Sequence, residues 1–297
     1  MVDSLSLGEI FALATAVVWA FAVIMFKRSG ESVHPIALNL FKDVLAFLLL
    51  VPTAYLFGED LLRAAPFQDY LLLVVSGIIG IGIADTFYFK GLNKIPAGLL
   101  AIIACMYSPT IISLSIVFLG ESLTMLQLVG AFLIVTAVLT GVSRKGLRTV
   151  GRRNLFLGML FGLIAVVANA VGIVMIKPLL DRSPLFWVTE VRLLAGVISL
   201  VAILFFFPQR KTIMSSLLAV RSWKYTIAGS FFGAYLAMVL WLGGMKFTQA
   251  SIAAALNQTS NLFIFIFAAL ILKERIDLKR TVAIILAVGG AILVSFG

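Results

Sequence analysis

Lys42 and Asp43 interrupt one long apolar stretch, Asp85 a second, and Glu190 and Arg192 a third. An ionisable group within hydrocarbon costs about 3 kcal/mol on insertion scales, so each of the five needs a partner or a water-filled path. Counted at about 1.5 Å per residue, Lys42 lies about 10 Å from a helix start at Pro35, and Asp85 lies about 6 Å before Phe89. The two share a depth on adjacent helices, and a Lys42 to Asp85 ion pair reads as part of an inner gate. Asp43, about 100° further round its helix, is the poorer partner. Glu190 and Arg192 sit at matching depth near the opposite face, where they contribute to an outer gate. Two residues apart, they point to nearly opposite sides and pair elsewhere than with each other. The competing account makes these residues interfacial charges whose stems snorkel toward headgroups.

A second set of residues is uncharged. Asn257-Gln258-Thr259-Ser260-Asn261 falls halfway along one apolar run, and Tyr107-Ser108-Pro109 falls at the same depth of another. Five consecutive polar residues cannot all face lipid cheaply. Pro109 lacks a backbone donor, which frees the carbonyl at Cys105 and predicts a helix kink. Trp19 and Asn169 hold equivalent mid-depth positions in two further runs, and Tyr88, Tyr235 and Trp241 add aromatic walls. The expected substrate-binding set is therefore Trp19, Tyr88, Tyr107, Ser108, Asn169, Tyr235, Trp241, Asn257, Gln258 and Asn261. It describes a neutral, amphipathic pocket suited to a zwitterion or a mixed polar and apolar solute. A dianionic phosphate would want buried cations there, and none is expected at the centre. Interhelical hydrogen bonding, and ordinary aromatic packing, are the competing accounts of the same residues.

Other chemistry is poorly served. The one cysteine, Cys105, excludes an intrachain disulfide and a Cys-based metal site. One histidine, His34, cannot make an HExxH zinc site or a His dyad, and reads as an ordinary interfacial residue. No metal site, cofactor or catalytic residue is expected. Gly82-Ile-Ala-Asp85 breaks the GxGD pattern of an intramembrane protease, so a membrane-embedded enzyme is disfavoured. The net charge of +10 is scattered among apolar segments and does not form a nucleic-acid surface.

The elements that must position these groups follow from composition. Of 297 residues 62% are apolar and 12% charged, with mean hydropathy +1.14. Soluble domains carry about a quarter charged residues, so the apolar excess belongs in lipid. The runs fall at Leu7 to Phe26, Pro35 to Phe57, Tyr70 to Phe89, Pro96 to Leu119, Met125 to Val142, Leu155 to Ile176, Pro184 to Phe207, Trp223 to Leu242, Ala250 to Leu272 and Thr281 to Phe296. Each suits a span of roughly 20 residues, so ten transmembrane helices are expected. Pro35, Pro96 and Pro184 each open a run, where the missing donor costs nothing.

With ten spans, alternate loops fall on opposite faces. One face collects seventeen basic residues, from Lys27 and Arg28 to Lys279 and Arg280, and the other holds Arg63, Lys177, Arg182 and Lys246. The crowded face is then cytoplasmic and both termini lie outside. The first run is preceded by Asp3 and no basic residue, which does not fit a cleaved signal peptide.

Sliding the chain by about 150 residues brings Gly8, Ala12, Ala20 and Lys27 onto Gly158, Gly162, Ala170 and Lys177, with Lys42 near Arg192. Gly77, Gly91 and Lys94 then meet Gly229, Gly243 and Lys246, and Glu121 meets Glu274 after a one-residue slip. Two five-helix repeats are expected, residues 1–146 and 152–297. Five is odd, so the second sits upside down, as in alternating-access carriers with a site near the midplane. Gly158-x-x-x-Gly162 and Gly229-x-x-x-Gly233 predict close helix approaches, and Glu121 and Glu274 predict tight hairpins.

Gly91-Leu-Asn-Lys-Ile-Pro-Ala, then Tyr107-Ser108-Pro109, Leu119-Gly-Glu-Ser-Leu-Thr124 and Gln127-Leu-Val-Gly130 resemble the second half of the EamA repeat of the drug/metabolite transporter superfamily. The second copy keeps Lys246 and Leu272-Lys-Glu-Arg-Ile276, but Thr281 to Ala283 replaces Gln-x-x-Gly, and Asn261 or Leu262 stands where Pro is typical. The resemblance implies an all-α membrane protein with ten transmembrane helices in two inverted repeats. It implies a secondary transporter, commonly an exporter of amino acids or other small metabolites in the prokaryotic inner membrane. The partners implied are a small-molecule solute and membrane lipid; the residues do not choose between a monomer and a homodimer. A lipid-linked flippase of the same fold is the alternative, with Arg192 near the outer face its one hint.

Overall fold

The computed structural model describes residues 6–60, 63–120, 124–141, 150–218, 223–273 and 278–296. Every regular element among them is helical. In chain order they are α1 (Leu7–Ser29), α2 (Pro35–Leu56), α3 (Phe67–Lys94), α4 (Ala97–Leu119), α5 (Met125–Gly141), α6 (Arg152–Arg182), α7 (Leu185–Phe206) and α8 (Arg210–Leu218). They continue with α9 (Trp223–Phe247), α10 in two halves (Ala250–Asn257 and Thr259–Ile271) and α11 (Leu278–Phe296). Eight of these helices are long and apolar enough to cross a membrane; α5 and α11 occupy the other two apolar runs and pack against each other. The short basic α8 has no counterpart among the expected runs. Glu121 and Glu274, expected to fix hairpins, lie outside the described residues.

Local chemistry sets the helix starts. Ser6 Oγ accepts the Glu9 N–H while the Glu9 carboxylate accepts the Ser6 N–H, a reciprocal cap on two otherwise unpaired donors. Pro35 is the first residue of α2, and Pro96 and Pro184 directly precede α4 and α7.

Five of the spans are irregular: α6 breaks near its end at Met175 and Ile176, and the other four are irregular in matching places. α3 widens into a π-helical stretch at Ile78–Ile83, and α9 does the same at Ser230–Leu236. α4 is interrupted at Cys105 and Met106, less than a turn before Pro109, and α10 is interrupted at Gln258. Inside hydrocarbon, backbone groups released in this way must find partners within the protein.

α1 packs against α9, and α3 against α6. The glycines make both approaches close. A Cβ built on Gly233 would stand 2.7 Å from Phe26 Cε2 of α1, one on Gly91 of α3 would stand 3.2 Å from Gly158 O of α6, and one on Gly162 would stand 2.8 Å from Leu100 Cδ1 of α4, so the two GxxxG segments are contact surfaces as expected. Gly8 lies against the Phe247 backbone and Gly158 against Ile95, which are paired positions in the two halves of the sequence.

Two lysines bind helix ends. Lys27 Nζ, at the end of α1, donates to the carbonyls of Leu92 and, at 2.9 Å, Ile95. Lys246 Nζ, at the end of α9, donates to Ser183 O and, at 3.0 Å, to Leu180 O. Each satisfies carbonyls that a helix end leaves without an intrahelical partner.

Candidate functional site

The widened turns and the helix breaks converge. Between α1, α2, α3, α4, α6, α7, α9 and α10 lies a cavity of about 160 Å³, whose wall includes Gly80 and Ile81 of one widened turn and Gly233 and Ala234 of the other. Side-chain amides take up the backbone groups nearby. Asn39 Nδ2 donates to Ile81 O at 3.1 Å and to Thr86 Oγ1 at 3.1 Å, and Asn169 Nδ2 reaches Gly80 O at 3.4 Å. The two helix breaks are joined directly: Gln258 Nε2 meets Ala104 O at 3.5 Å, while Asn261 Nδ2 donates to Gln258 Oε1 at 2.5 Å and to Cys105 Sγ at 3.3 Å.

Eight of the ten expected binding residues line this cavity: Trp19, Tyr88, Tyr107, Asn169, Trp241, Asn257, Gln258 and Asn261. Tyr107 donates its hydroxyl to Asn169 Oδ1 at 2.9 Å, and the rings of Trp19 and Tyr88, and of Tyr107 and Trp241, pack at centroid distances of 5.8 and 6.0 Å. Asn257 Oδ1 is buried there without a hydrogen-bond partner among the described residues.

Ser108 and Tyr235 are not part of the lining. Ser108 is fully buried on another face of α4, and the Tyr235 hydroxyl shares a 2.8 Å hydrogen bond with Thr53 Oγ1. The aromatic ring of Tyr235 packs on Phe231 instead of facing the cavity.

The charged residues depart further from expectation. Lys42 Nζ stands 2.7 Å from Asp85 Oδ2, the expected pair, and also 2.5 Å from Asp43 Oδ1. Asp43 is therefore a full partner: the flexible lysine stem lets one ammonium lie between two carboxylates, which a helical-wheel angle between Cα positions does not capture. Lys42 and Arg192 are 2% and 4% exposed, and both line the cavity with Asp85. These charges do not snorkel to an interface, and the expectation of a pocket without central cations fails. The reach of a long side chain toward the interior moves its charge well away from the depth of its Cα.

Arg192 Nε donates to Ser76 Oγ at 2.9 Å, and Ser76 Oγ donates to Gly172 O at 2.5 Å. Glu190 does not reach the cavity; it is buried, and its Oε2 has no partner among the described residues. The ion pair at that end of the bundle joins α3 to α6 through Asp69 and Arg182, 2.6 Å apart. Neither residue stood out in the sequence, because each lies at a helix end where charges are ordinary.

His34 caps α2: its Nδ1 accepts the Ile36 N–H at 3.3 Å. Burial, with a smaller contribution from Lys90, holds its imidazole below the usual value. Cys105 is a free, buried thiol.

Long apolar helices around a cavity that gathers charged and polar side chains define an integral, multi-pass membrane protein. The sequence profile of the EamA-like transporter family matches residues 6–142 and again residues 156–296, and the chain belongs to this family. A relative from Archaeoglobus fulgidus, described as an uncharacterized transporter, is 27% identical over 282 residues, covering 93% of each chain. A protein of known crystal structure, 19% identical, matches 96% of this chain and 95% of its own with a TM-score of 0.73, which shows a shared fold. Together the family and the relative's description point to a membrane transporter and away from an enzyme.

Proposed function

We propose that the protein is a secondary transporter that moves a small amphipathic solute, of amino-acid size, outward by alternating access around the cavity. The observation that carries this reading is the convergence of two widened turns and two helix breaks on one cavity of mixed polar and apolar lining. Discontinuous helices near mid-depth, in corresponding places of two halves, mark substrate sites in carriers built from inverted repeats. The double family match supports a division into repeats at residues 1–146 and 152–297, and α5 and α11 complete a count of ten spans in this reading. The charge bias of the loops supports termini outside, and the family resemblance supports a prokaryotic inner membrane as the setting.

In this scheme Lys42, Asp43 and Asp85 close one side, and the Asp69 to Arg182 pair helps close the other. Arg192 had offered a contact for a lipid headgroup; its place in the cavity wall removes the observation that favoured a flippase. The test is counterflow in proteoliposomes with a panel of labelled amino acids and related metabolites. Exchange of at least one soluble solute is the expected result, and lipid scrambling without any solute exchange would sink the proposal.

A further inference from the structure

Arg192 is a buried guanidinium without a carboxylate in reach. It is 4% exposed, it lines the cavity, and no acidic oxygen lies within 4.0 Å of it among the described residues. Its hydrogen bond through Nε to Ser76 at 2.9 Å leaves the two terminal nitrogens for something else.

The passage that brings it there is built. A Cβ on Gly80 would stand 3.2 Å from Arg192 Nη2, and one on Gly172 would stand 3.1 Å from Gly80 Cα. Gly80 thus leaves room for the guanidinium, Gly172 lets its helix approach Gly80 closely, and Ser76 fixes the orientation of the arginine. An uncompensated buried charge is costly, so a fold that prepares this position gains by having the charge met in use.

The internal repeat says what is missing. Lys42 and Arg192 are paired positions, and both reach the cavity. Lys42 has two counter-ions, Asp43 and Asp85. At the register that matches Gly77 with Gly229, Asp85 falls on Ala237, which also lines the cavity; at the register that matches Lys42 with Arg192, Asp43 falls on Leu193. The second half keeps the cation and lacks both anions.

We infer that Arg192 is the carboxylate-binding residue of the cavity, and that the transported solute supplies the anion which the second half lacks. The inference rests on the transporter reading above and deepens it. A guanidinium presents a planar pair of N–H donors that matches a carboxylate. The cluster of Lys42 with two aspartates holds one more acidic group than basic ones, so a solute whose carboxylate meets Arg192 is best completed by an ammonium. Asp85 and the unpartnered Asn257 Oδ1 are acceptors in the same wall. A phosphate dianion finds one uncommitted guanidinium and, among the described residues of the wall, no second free cation, since Lys42 is already held twice.

Binding to the purified full chain in detergent tests this, read by calorimetry. The probes are L-leucine, L-methionine and L-phenylalanine, their amides, the matching amines without a carboxyl group, and inorganic phosphate. At least one acid should bind about ten-fold or more tightly than its amide and amine. In Arg192→Gln that preference should vanish while amide binding stays unchanged. Arg192→Lys, which keeps the charge and loses the fork, should weaken the acids and spare the amides. The acid-to-amide comparison in the unmodified protein decides the matter even where a variant fails to fold. Equal binding of acids and amides, an acid preference that survives in Arg192→Gln, tightest binding of phosphate, or no acid bound at all would each overturn the inference. Counterflow separates it from the broader reading: exchange of acids and amides alike removes the subsite and keeps the transporter, whereas acid-selective binding without exchange does the reverse.

Discussion

The ammonium of Lys42 lies 2.7 Å from Asp85 on the neighbouring helix and 2.5 Å from Asp43, its own neighbour in the chain. One cation thus holds a fully buried carboxylate, Asp43, and a partly buried one, Asp85, and the three are unequal in what their loss leaves behind.

Lys42→Ala strands the Asp43 carboxylate away from water and leaves Asp85 unpaired in the cavity wall, and removal of one partner from a buried ion pair typically costs about 3–5 kcal/mol. Asp85→Asn leaves Lys42 still bonded to Asp43 and should cost far less. Thermal unfolding in detergent should rank Lys42→Ala well below Asp85→Asn. The double exchange Lys42→Asp with Asp85→Lys retains two carboxylates and one ammonium, so it should transport better than either single alanine variant. If the exchange is as inactive as the singles, the ion cluster has no gating role.

A methyl group has no space at Gly233, where a Cβ would stand 2.7 Å from Phe26 Cε2. Gly233→Ala should destabilise the α1 to α9 contact by about 1–3 kcal/mol, the usual range for overpacking. Phe26→Leu introduced with it should recover part of the loss. Failure of the double variant to exceed Gly233→Ala in melting temperature would place the strain elsewhere.

Tyr107 and Asn169 join α4 to α6 by a 2.9 Å hydrogen bond in the cavity wall. Tyr107→Phe leaves the ring packing on Trp241 and removes the hydroxyl, with an expected cost to stability of about 1 kcal/mol. The larger effect should fall on apparent solute affinity, since the Asn169 carbonyl then faces the cavity unpaired. Equal apparent KM values for the variant and the native protein would show that the bond is structural alone.

His34 gives a pH dependence whose sign is fixed. Its value in the folded protein lies below the usual 6.5, so over the window beneath 6.5 the unfolded chain holds more protons than the folded one. Stability contributed at this position is present above about 6.5 and is lost as pH falls through the folded value. Protonation also removes the Nδ1 acceptor that caps α2. Between pH 7.5 and 5.5 the native melting temperature should fall more than that of His34→Asn, which keeps a capping acceptor that does not titrate. Parallel curves for the two proteins would remove His34 from the account.

Much of this architecture can be read from residue types. The polar run from Asn257 to Asn261 and the Tyr107-Ser108-Pro109 segment mark the two helix breaks, because few other arrangements excuse so many polar groups in an apolar run. Lys42 and Asp85 declare themselves by depth. Arg192 and Asp43 are harder, since charge position depends on stems that reach several ångströms from the backbone and on the partner they find. Ser76 and Asn39 are small polar residues in apolar runs, and their importance lies in bonds to distant segments, Arg192 in one case and the Ile81 carbonyl in the other. The widened turns leave a trace only as Gly80, Gly82 and Gly233, which sequence alone reads as packing positions.

Those widened turns also set a rotational phase. A π-helical turn holds more residues than an α-helical one, so everything after Ile83 in α3 is rotated relative to a regular helix that began at Phe67. Asp85 and Tyr88 therefore face the cavity because of one surplus position upstream. A regular α-helix through all of these residues would swing both side chains by about 100°, whereas removing a single residue between Ile78 and Ile83 would take out the surplus and keep their phase. The aim of this site is then set by a surplus residue that carries none of its chemical groups.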